Sequence, residues 1–156
     1  MTVATAVLAF RSARRDDLDA LVALFAADAL GGHGDTTDPA VRPAYEAALT
    51  AILASPRDRL LVGEIDGRVV ATGQLTLVVA LPHRGRTRAI VEAVQVAEDL
   101  RGQGIGARLI EALSEEARRA GAGVVELTSN AVRRDAHRFY ERLGFAASHL
   151  GFKRPL

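Results

Sequence analysis

One stretch limits what this chain can fold into: a buried strand, a glycine-rich turn and an amphipathic helix, in that order, over residues 89–120. Residues 89–96 are mostly apolar, which predicts a central strand. The helix that follows places Leu109 and Leu113 on one apolar face. A further strand at residues 124–128 completes a strand-helix-strand unit, whose two strands we expect to be parallel.

The glycine-rich turn and the start of the helix predict a site for phosphate groups. Gly102, Gly104 and Gly106 remove side chains that would block a close approach to the backbone. The first turn of a helix carries backbone N–H groups without intrahelical partners and a partial positive charge. The sequence therefore predicts that an anionic, phosphorylated ligand binds here.

The composition is that of a soluble globular protein with one domain, residues 1–156. Of its 156 residues 49% are hydrophobic and 25% are charged, which allows one substantial core but no separate cofactor domain. The formal net charge is +1, and the arginines are interspersed with aspartate and glutamate along the chain. We therefore expect no nucleic-acid partner.

Features absent from the sequence argue against disulfides, cysteine-based sites, metal sites and a membrane span. The absence of cysteine excludes disulfides, thiolate metal ligands and thiol nucleophiles, and the four histidines do not have the spacing of metal ligands, so we expect no metal. The apolar run at residues 1–10 has no basic start and is too short to cross a bilayer, so we expect a cytoplasmic protein without a membrane partner. Lys153 is the only lysine, and this preference for arginine is typical of GC-rich bacterial coding.

The first half of the chain predicts a strand, two helices and a hairpin. Asp66-Gly67 supplies the positive φ angles of a two-residue hairpin turn, and Gly73 indicates a bulge or a close backbone approach. The predicted elements are a strand at 7–12, a helix of about four turns over 18–29, a glycine-rich loop at 31–35, a helix at 43–54, and hairpin strands at 59–65 and 68–79.

The second half predicts the rest of an α/β fold. Gly121 is placed to cap the long helix at its C-terminus. The predicted elements are a surface loop at 81–87, the central strand at 89–96, the helix at 104–120, a fifth strand at 124–128, a short helix at 135–143 and a last strand at 146–153. The result is a mixed sheet with helices on both faces.

Two segments carry a family resemblance. The first is Arg101-Gly102-Gln103-Gly104-Ile105-Gly106 after a hydrophobic strand, and the second is Asn130 followed by residues 136–145, AHRFYERLGF. In this order, one helix and one strand apart, they resemble the GNAT superfamily of acyl-CoA-dependent N-acyltransferases over about residues 88–146. The resemblance implies a mostly antiparallel sheet whose fourth and fifth strands form a splayed parallel pair. It also implies acetyl-CoA as donor, a small-molecule or peptide amine as acceptor, direct attack in a ternary complex, and a possible homodimer, for which the last strand is a plausible contact.

Glu92 is the candidate general base. Strand alternation places it on the face of Ile90, Val94 and Val96, so we expect apolar neighbours that raise its pKa by desolvation. The resemblance implies that an acidic residue at this place removes the proton of the amine, often through water. The alternative is a structural Glu92 paired with Arg68 or Arg88, or an exposed one if a bulge shifts the register.

Tyr140 is the second candidate, because the resemblance implies that it assists the departing thiolate. The pKa of a tyrosine is near 10 and that of a thiol near 8.5, so complete transfer of a proton from the tyrosine to the thiolate is uphill. A hydrogen bond from the tyrosine to the thiolate is therefore more important than proton transfer. The alternative is a core tyrosine, since Ala136, Phe139 and Leu143 share its helix face.

The resemblance also implies cofactor and substrate contacts. The backbone of Val94, Gln95 and Val96 is expected to bind the pantetheine arm, together with the phosphate loop Arg101, Gly102, Gln103, Gly104, Ile105 and Gly106, and Asn130 is expected to hold the cofactor unless it bonds its own turn. His33 and Asp35 border the expected acceptor pocket, with a solvated connection as the alternative.

Two other functions are compatible with the same motifs. Residues 102–107 also fit the loose dinucleotide pattern, with Glu126 near the position of a ribose-binding acid, which would indicate a nicotinamide-dependent oxidoreductase. However, five residues separate the strand from the first glycine, and too little chain remains for the other strands. A CoA-binding regulatory module without turnover is the other alternative.

Overall fold

A computed structural model describes residues 7–28 and 33–156, which divide into one unit ending at Glu126 and a second unit from Leu127 to Leu156. The strands are β1 Ala9–Ser12, β2 Asp58–Ile65, β3 Arg68–Val79, β4 Thr87–Val96 and β5 Val124–Leu127. The helices are α1 Leu18–Ala26, α2 Arg42–Ala54, the single turn α3 Pro82–Gly85, α4 Ile105–Arg119 and α5 Arg134–Arg142. Three-residue 3-10 turns lie at Arg15–Asp17, Pro39–Val41 and Glu98–Leu100.

The sheet has the order β1-β2-β3-β4-β5, with antiparallel pairing from β1 to β4 and a parallel β4-β5 pair. This confirms the predicted mixed, mostly antiparallel sheet. It also rules out the dinucleotide-binding alternative, because that fold requires a largely parallel sheet. The predicted hairpin is confirmed as well, with φ of 48° at Asp66 and 80° at Gly67.

Helices cover both faces of the sheet, as predicted. On one face, Leu60 and Val62 of β2 pack in a cluster with Leu18, Leu21 and other residues of α1 and α2. Leu61, between them, is paired with Gly73 of β3, and Gly73 faces Leu113 of α4. Because successive strand residues point to opposite faces, α4 lies on the other side of the sheet from α1 and α2.

The end of α4 follows the predicted glycine cap. Gly121 has φ of 79°, and its N–H donates to the carbonyl of Arg118 at 3.0 Å. The N–H of Ala122 donates to the carbonyl of Ala117 at 2.9 Å. These two bonds form a Schellman motif, which satisfies carbonyl groups of the last helical turn and directs the chain into β5.

A bulge in β4 interrupts its pairing with β3. Thr72 pairs with Gln95 and Gln74 pairs with Glu92, so Ala93 and Val94 together oppose Gly73. Ala93 has φ of 53°, a left-handed conformation that is uncommon for a residue with a side chain. The bulge and close approach predicted at Gly73 are both present, but the extra residue belongs to β4 and the close neighbour is a helix side chain.

The predicted last strand is absent, and the first helix is shorter than predicted. The last strand, predicted at 146–153, is wrong, because residues 145–156 form no helix or strand. Leu150 and Phe152 alternate with polar residues but are 83% and 90% exposed, and an alternating pattern needs a partner strand before it forms a ladder. Helix α1 ends at Ala26, short of four turns; Ala29, Gly31 and Gly32 lie outside the described residues.

Asp17 joins the start of α1 to β1. Its carboxylate accepts two hydrogen bonds from the guanidinium of Arg11, at 2.8 and 2.9 Å, and one from the N–H of Arg14 at 2.7 Å. The hydrogen bonds from Arg11 hold the pKa of Asp17 below its usual value, although burial acts in the opposite direction. Among the described residues, no helix is long and apolar enough to cross a membrane.

We expect Asp17→Asn to lower the free energy of unfolding at pH 7 by about 1–3 kcal/mol, because it removes the buried carboxylate charge that accepts the hydrogen bonds from Arg11 and Arg14. A carboxylate whose pKa is lowered by folding stabilises the protein above its unfolded pKa, near 3.9, and loses this effect as the pH falls through the folded value. The difference from the wild type should therefore be constant from pH 5 to 8 and shrink below about pH 4. Urea unfolding across this range tests it, with the exposed Asp16→Asn as control. An equal loss at pH 7 and pH 2 would contradict the role of the charge.

We expect Gly73→Ala to destabilise the protein by about 1–3 kcal/mol through overpacking. A Cβ at this position would lie 2.7 Å from Cδ1 of Leu113, which is fully buried. In a Leu113→Ala background the cost of Gly73→Ala should be much smaller, because the opposing methyl groups are gone. Urea unfolding of the four proteins measures this coupling, and equal costs in both backgrounds would refute the contact.

Candidate functional site

The loop between β4 and α4 is shaped by two glycines in the left-handed region. After the turn Glu98–Leu100, Gly102 has φ of 75° and Gly104 has φ of 79°. A Cβ on either residue would meet nothing within 4 Å, so backbone conformation rather than space requires glycine at both positions. Helix α4 then begins at Ile105.

The backbone N–H groups at the start of α4 point to an anion site. The N–H of Arg108 donates to the carbonyl of Gly104 at 3.2 Å. No N–H from residue 102 to residue 107 donates to another group in the part of the chain that is described. Such N–H groups, at the positive end of a fifteen-residue helix, favour a phosphate.

Arg101 adds a positive charge to this loop. Its side chain is exposed, and its Nε donates to the carbonyl oxygen of Val96, the last residue of β4, at 3.2 Å. The guanidinium therefore folds back along the strand end. The assignment of residues 101–106 to a phosphate group stays a prediction, and this geometry is compatible with it.

Glu92 lies in a different environment from the predicted one. It is exposed, and the bulge moves Val94 and Val96 off its face, so the expected apolar neighbours are wrong. Its cross-strand neighbour is Gln74. The two arginines considered as partners are engaged elsewhere, Arg68 with Asp99 at 2.8 Å and Arg88 with Glu126 at 2.7 Å.

A polar cluster beside Glu92 was not predicted from the sequence. Oδ1 of Asp58 accepts from the hydroxyl of Thr76 at 2.6 Å and from the amide of Gln74 at 3.2 Å. Burial raises the pKa of Asp58, but hydrogen bonds from Ser55, Thr76 and Gln74 outweigh it and hold the pKa below its usual range. Glu92 thus lies next to an ionised carboxylate network, which favours a cationic amine on this face of the sheet.

Gln95 connects β4 to the end of α1. The register places it opposite Thr72, two residues from Gln74, and therefore on the same face as Glu92. Its Nε2 donates to Oδ2 of Asp28 at 2.7 Å. Neither side chain carried a sequence signal for this contact, because the extra residue of the bulge that creates it lies in β4, which contains no glycine.

The second half of β4 extends beyond β5. The N–H of Gly123 donates to the carbonyl of Thr87 at 2.9 Å, and β5 has four residues where β4 has ten. The parallel strand β5 therefore runs beside the first half of β4. Residues 92–96, which include the predicted pantetheine contacts Val94, Gln95 and Val96, pass the end of β5, and the bulge removes Ala93 and Val94 from the regular ladder with β3.

Of the two predicted acceptor contacts, Asp35 bonds to α2. His33 is exposed, and Oδ1 of Asp35 accepts a hydrogen bond from the hydroxyl of Tyr45 at 2.9 Å. The same hydroxyl accepts from the N–H of Thr36 at 3.2 Å. Asp35 therefore has a structural partner, and its role in substrate binding stays a prediction.

In the unit from Leu127 to Leu156, Tyr140 is partly buried on α5. Its ring packs edge-on against Phe139 and Phe145, with centroids 5.1 and 5.8 Å apart. Burial raises the pKa of Tyr140, and the nearby positive charge of Arg133 offsets part of this rise. The hydroxyl is therefore a neutral hydrogen-bond donor at physiological pH.

Asn130 makes hydrogen bonds within its own turn, which is the alternative to cofactor binding given by the sequence. Its Oδ1 accepts from the N–H of Val132 at 3.1 Å, and its backbone carbonyl accepts from the N–H of Arg133 at 3.0 Å. Its role in cofactor binding stays a prediction. Within the described ranges, no group of three or more histidine and acidic residues is arranged to hold a metal ion.

Comparisons with known proteins agree on one family. The model of the acetyltransferase (GNAT) family matches residues 18–145. The chain is 39% identical to the aminoalkylphosphonate N-acetyltransferase of Salmonella typhimurium over 113 residues, which are 72% of this chain and 73% of that protein.

Solved structures share the fold. A Bacillus halodurans protein described as a transcriptional regulator superposes with a TM-score of 0.92 at 33% identity, covering 96% of this chain and 100% of that one. Glucosamine-6-phosphate N-acetyltransferase from Arabidopsis thaliana superposes with a TM-score of 0.79 over 96% of this chain and 98% of that one, and at 18% identity it shows the shared fold alone.

Proposed function

The chain belongs to the acetyltransferase (GNAT) family, and from this premise we propose that it transfers an acetyl group from acetyl-CoA to a primary amine by direct attack in a ternary complex. The observation that carries the proposal is the row of N–H groups at residues 102–107, which have no partner among the described residues and follow the bulged strand β4. A phosphorylated donor fits that loop, and the exposed Glu92 lies on the adjoining strand.

The donor-binding residues are those of the loop and of the end of β4. The N–H groups of Gly102 to Ala107 and the guanidinium of Arg101 would hold the pyrophosphate by charge-assisted hydrogen bonds. The backbone of Val94, Gln95 and Val96 would hold the pantetheine amides, and Asn130 the outer part of the cofactor. Acetyl-CoA supplies the thioester whose carbonyl carbon receives the amine.

Glu92 is the proton acceptor in this proposal. An alkyl ammonium group has a pKa near 10.4 and cannot attack until it loses a proton. Because Glu92 is exposed, a water molecule can relay that proton to the carboxylate. The nitrogen then forms a bond to the carbonyl carbon and loses its second proton to water. The carbon–sulfur bond breaks, and the sulfur leaves as a thiolate that takes up a proton from water.

Tyr140 stabilises the leaving group. Burial raises the pKa of Tyr140 above its ordinary value, so its hydroxyl is a weaker acid than a thiol with a pKa near 8.5. Complete transfer of its proton to sulfur is therefore uphill. A hydrogen bond from the hydroxyl to the developing thiolate lowers the barrier without that transfer.

The acceptor class is a small amine. The Salmonella relative is named for aminoalkylphosphonates, so an aminoalkylphosphonate belongs in the first substrate panel beside simple diamines, amino sugars and peptide N-termini. The second candidate function is a CoA-binding regulator without turnover, which is favoured by the description of the Bacillus halodurans structure as a transcriptional regulator. Binding of acetyl-CoA without acetylation of any panel amine would support this second candidate.

We expect Gly106→Glu to weaken acetyl-CoA binding about tenfold or more, because it adds a negative charge where the phosphates bind. Gly106 lies in the first turn of α4 and does not have positive φ, so glutamate suits the helix and the fold should be retained. Isothermal titration calorimetry with acetyl-CoA measures the effect, with Gly106→Ala as matched control and NADH as a ligand that should not bind. If the glutamate variant bound acetyl-CoA with unchanged affinity, the phosphates would not bind at this loop.

We expect Glu92→Gln to lower kcat/KM for an amine by about 10²–10⁴ at pH 7. The loss should shrink as the pH approaches the pKa of the amine, because a deprotonated amine no longer needs a base. The pH profile of acetylation tests this, with Glu111→Gln, an exposed substitution on α4, as control. A loss that is the same at every pH would assign Glu92 to binding rather than to proton removal.

We expect Tyr140→Phe to lower kcat about 10²-fold with a smaller change in KM, since the hydroxyl acts on the leaving group. The folded-state pKa of Tyr140 is raised from its ordinary value, so its contribution should persist up to at least about pH 10. Steady-state kinetics from pH 7 to 10.5 compare the two proteins. A wild-type profile that converges with the variant below pH 9 would contradict the role of the neutral hydroxyl.

A further inference from the structure

We propose that Arg68 sets the affinity for the acetyl donor by neutralising the carboxylate of Asp99, just before the phosphate loop. The inference rests on the proposed acetyltransferase function and concerns its donor site. Arg68 belongs to β3 and not to the loop at residues 101–106. It therefore acts on the donor through Asp99, as a positioning residue.

Two carboxylates precede the loop that is proposed to hold the phosphates. Glu98 and Asp99 lie in the turn before it, and Arg101 is the only basic residue in the sequence from 98 to 104. Asp99 is three residues before Gly102, so their Cα atoms are at most about 11 Å apart. At an ionic strength of about 0.01 M, charges act over a longer distance, about 30 Å. An uncompensated carboxylate at position 99 would therefore weaken the binding of a pyrophosphate.

Arg68 forms a bidentate ion pair with Asp99. Its Nη1 and Nη2 atoms donate to the two carboxylate oxygens of Asp99 at 2.8 and 2.9 Å. The hydrogen bonds from Arg68 are the main cause that holds the pKa of Asp99 below its usual value, so the carboxylate is ionised at physiological pH. An exposed pair of this kind adds little to the free energy of unfolding. Its guanidinium nevertheless offsets the negative charge of Asp99 towards any anion nearby.

Backbone hydrogen bonds hold the turn beside the start of β3 without help from the ion pair. Arg68 is the first residue of β3, and two residues later the carbonyl of Val70 accepts from the N–H of Ala97 at 2.8 Å. Ala97 caps the turn Glu98–Leu100, in which the N–H of Leu100 donates to the carbonyl of Ala97 at 2.9 Å. Loss of the Arg68 guanidinium should therefore leave the turn in place and change the charge beside the phosphate loop.

The first variant is Arg68→Gln, which removes the guanidinium and keeps an amide. Isothermal titration calorimetry with acetyl-CoA should give a Kd about three- to fivefold above that of the wild type at an ionic strength of about 0.01 M. This is the scale of the repulsion between one carboxylate and two phosphate charges about 10 Å away in water. The ratio of the two Kd values should fall towards one at about 1 M, where charges act over only about 3 Å.

The affinity for the amine should not follow that for the donor. Glu92 is opposite Gln74, which lies about 20 Å along β3 from Arg68. We therefore expect Arg68→Gln to change the KM for the amine, measured at saturating acetyl-CoA, by less than about twofold.

Two further variants separate charge from geometry. Asp99→Asn breaks the ion pair as Arg68→Gln does, but it removes the negative charge, so it should bind acetyl-CoA at least as tightly as the wild type. The double variant with both substitutions carries neither charge, and its Kd should lie within about twofold of the wild-type value. An ion pair that held the loop in shape would give the opposite pattern, with weaker binding in both single variants and no recovery in the double variant.

Arg118→Gln is the matched control for the loss of an exposed arginine. The side chain of Arg118 is 59% exposed, against 58% for Arg68, and it is ion-paired with Glu111 and Glu115. It lies near the end of α4, about 20 Å from the first residue of the helix. Arg118→Gln should raise the Kd for acetyl-CoA by less than about twofold at low ionic strength. A rise as large as that of Arg68→Gln would assign the effect to net charge and would refute the role of Asp99.

Each remaining outcome decides between the claims. If the wild type binds acetyl-CoA and Arg68→Gln binds it equally tightly at low ionic strength, the role of Arg68 is wrong and the proposed function stands. If Asp99→Asn weakens binding as much as Arg68→Gln does, the ion pair acts through geometry and the neutralising role is wrong. If the wild type does not bind acetyl-CoA, the proposed function fails and this inference fails with it.

Discussion

The bulge in β4 is the constraint on which the candidate site depends. Ala93 adopts a left-handed conformation that costs about 1–2 kcal/mol for a residue with a side chain. In return, β4 departs from its ladder with β3 at the point where it passes the end of β5. Main-chain groups are released there, and Glu92 and Gln95 are turned to one face. Without the extra residue, Gln95 would point to α4 and lose Asp28.

The two faces of the sheet consequently have different roles. On the α4 side, Gly73 allows Leu113 to approach the strand, and Leu75 and Leu109 are fully buried beside it. This packing fixes the direction of α4 and hence the direction in which its first N–H groups point. On the other face, the end of the apolar cluster gives way to the polar side chains of Asp58, Gln74 and Thr76.

The sequence predicted best those features that depend on local chemistry. The turn at Asp66-Gly67, the loop at Gly102 and Gly104, and the cap at Gly121 all need positive φ, and glycine is the residue that adopts it at little cost. Ala93 has the same kind of φ without a glycine, so Gly73 indicated a bulge but did not place its extra residue in β4, and the face of Val94 and Val96 relative to Glu92 was predicted wrongly. The strand expected at 146–153 failed for a different reason, since alternation describes a segment but does not provide its partner. The contact between Gln95 and Asp28 joins distant segments and depends on which strand carries the extra residue of that bulge.

The charges near Glu92 affect which acceptor binds, independently of how the acetyl group is transferred. The face that carries Glu92 also presents the carboxylate of Asp58, whose pKa is lowered by its hydrogen bonds. The arginines of the strands on this face, Arg11 and Arg88, are ion-paired with Asp17, Glu64 and Glu126. Such a face attracts the ammonium group of any amine, but it repels an anionic group attached to the same molecule. A phosphonate group on the acceptor would need a cation from elsewhere in the protein. A donor site shared with the Salmonella relative therefore does not imply that this chain accepts the same substrate.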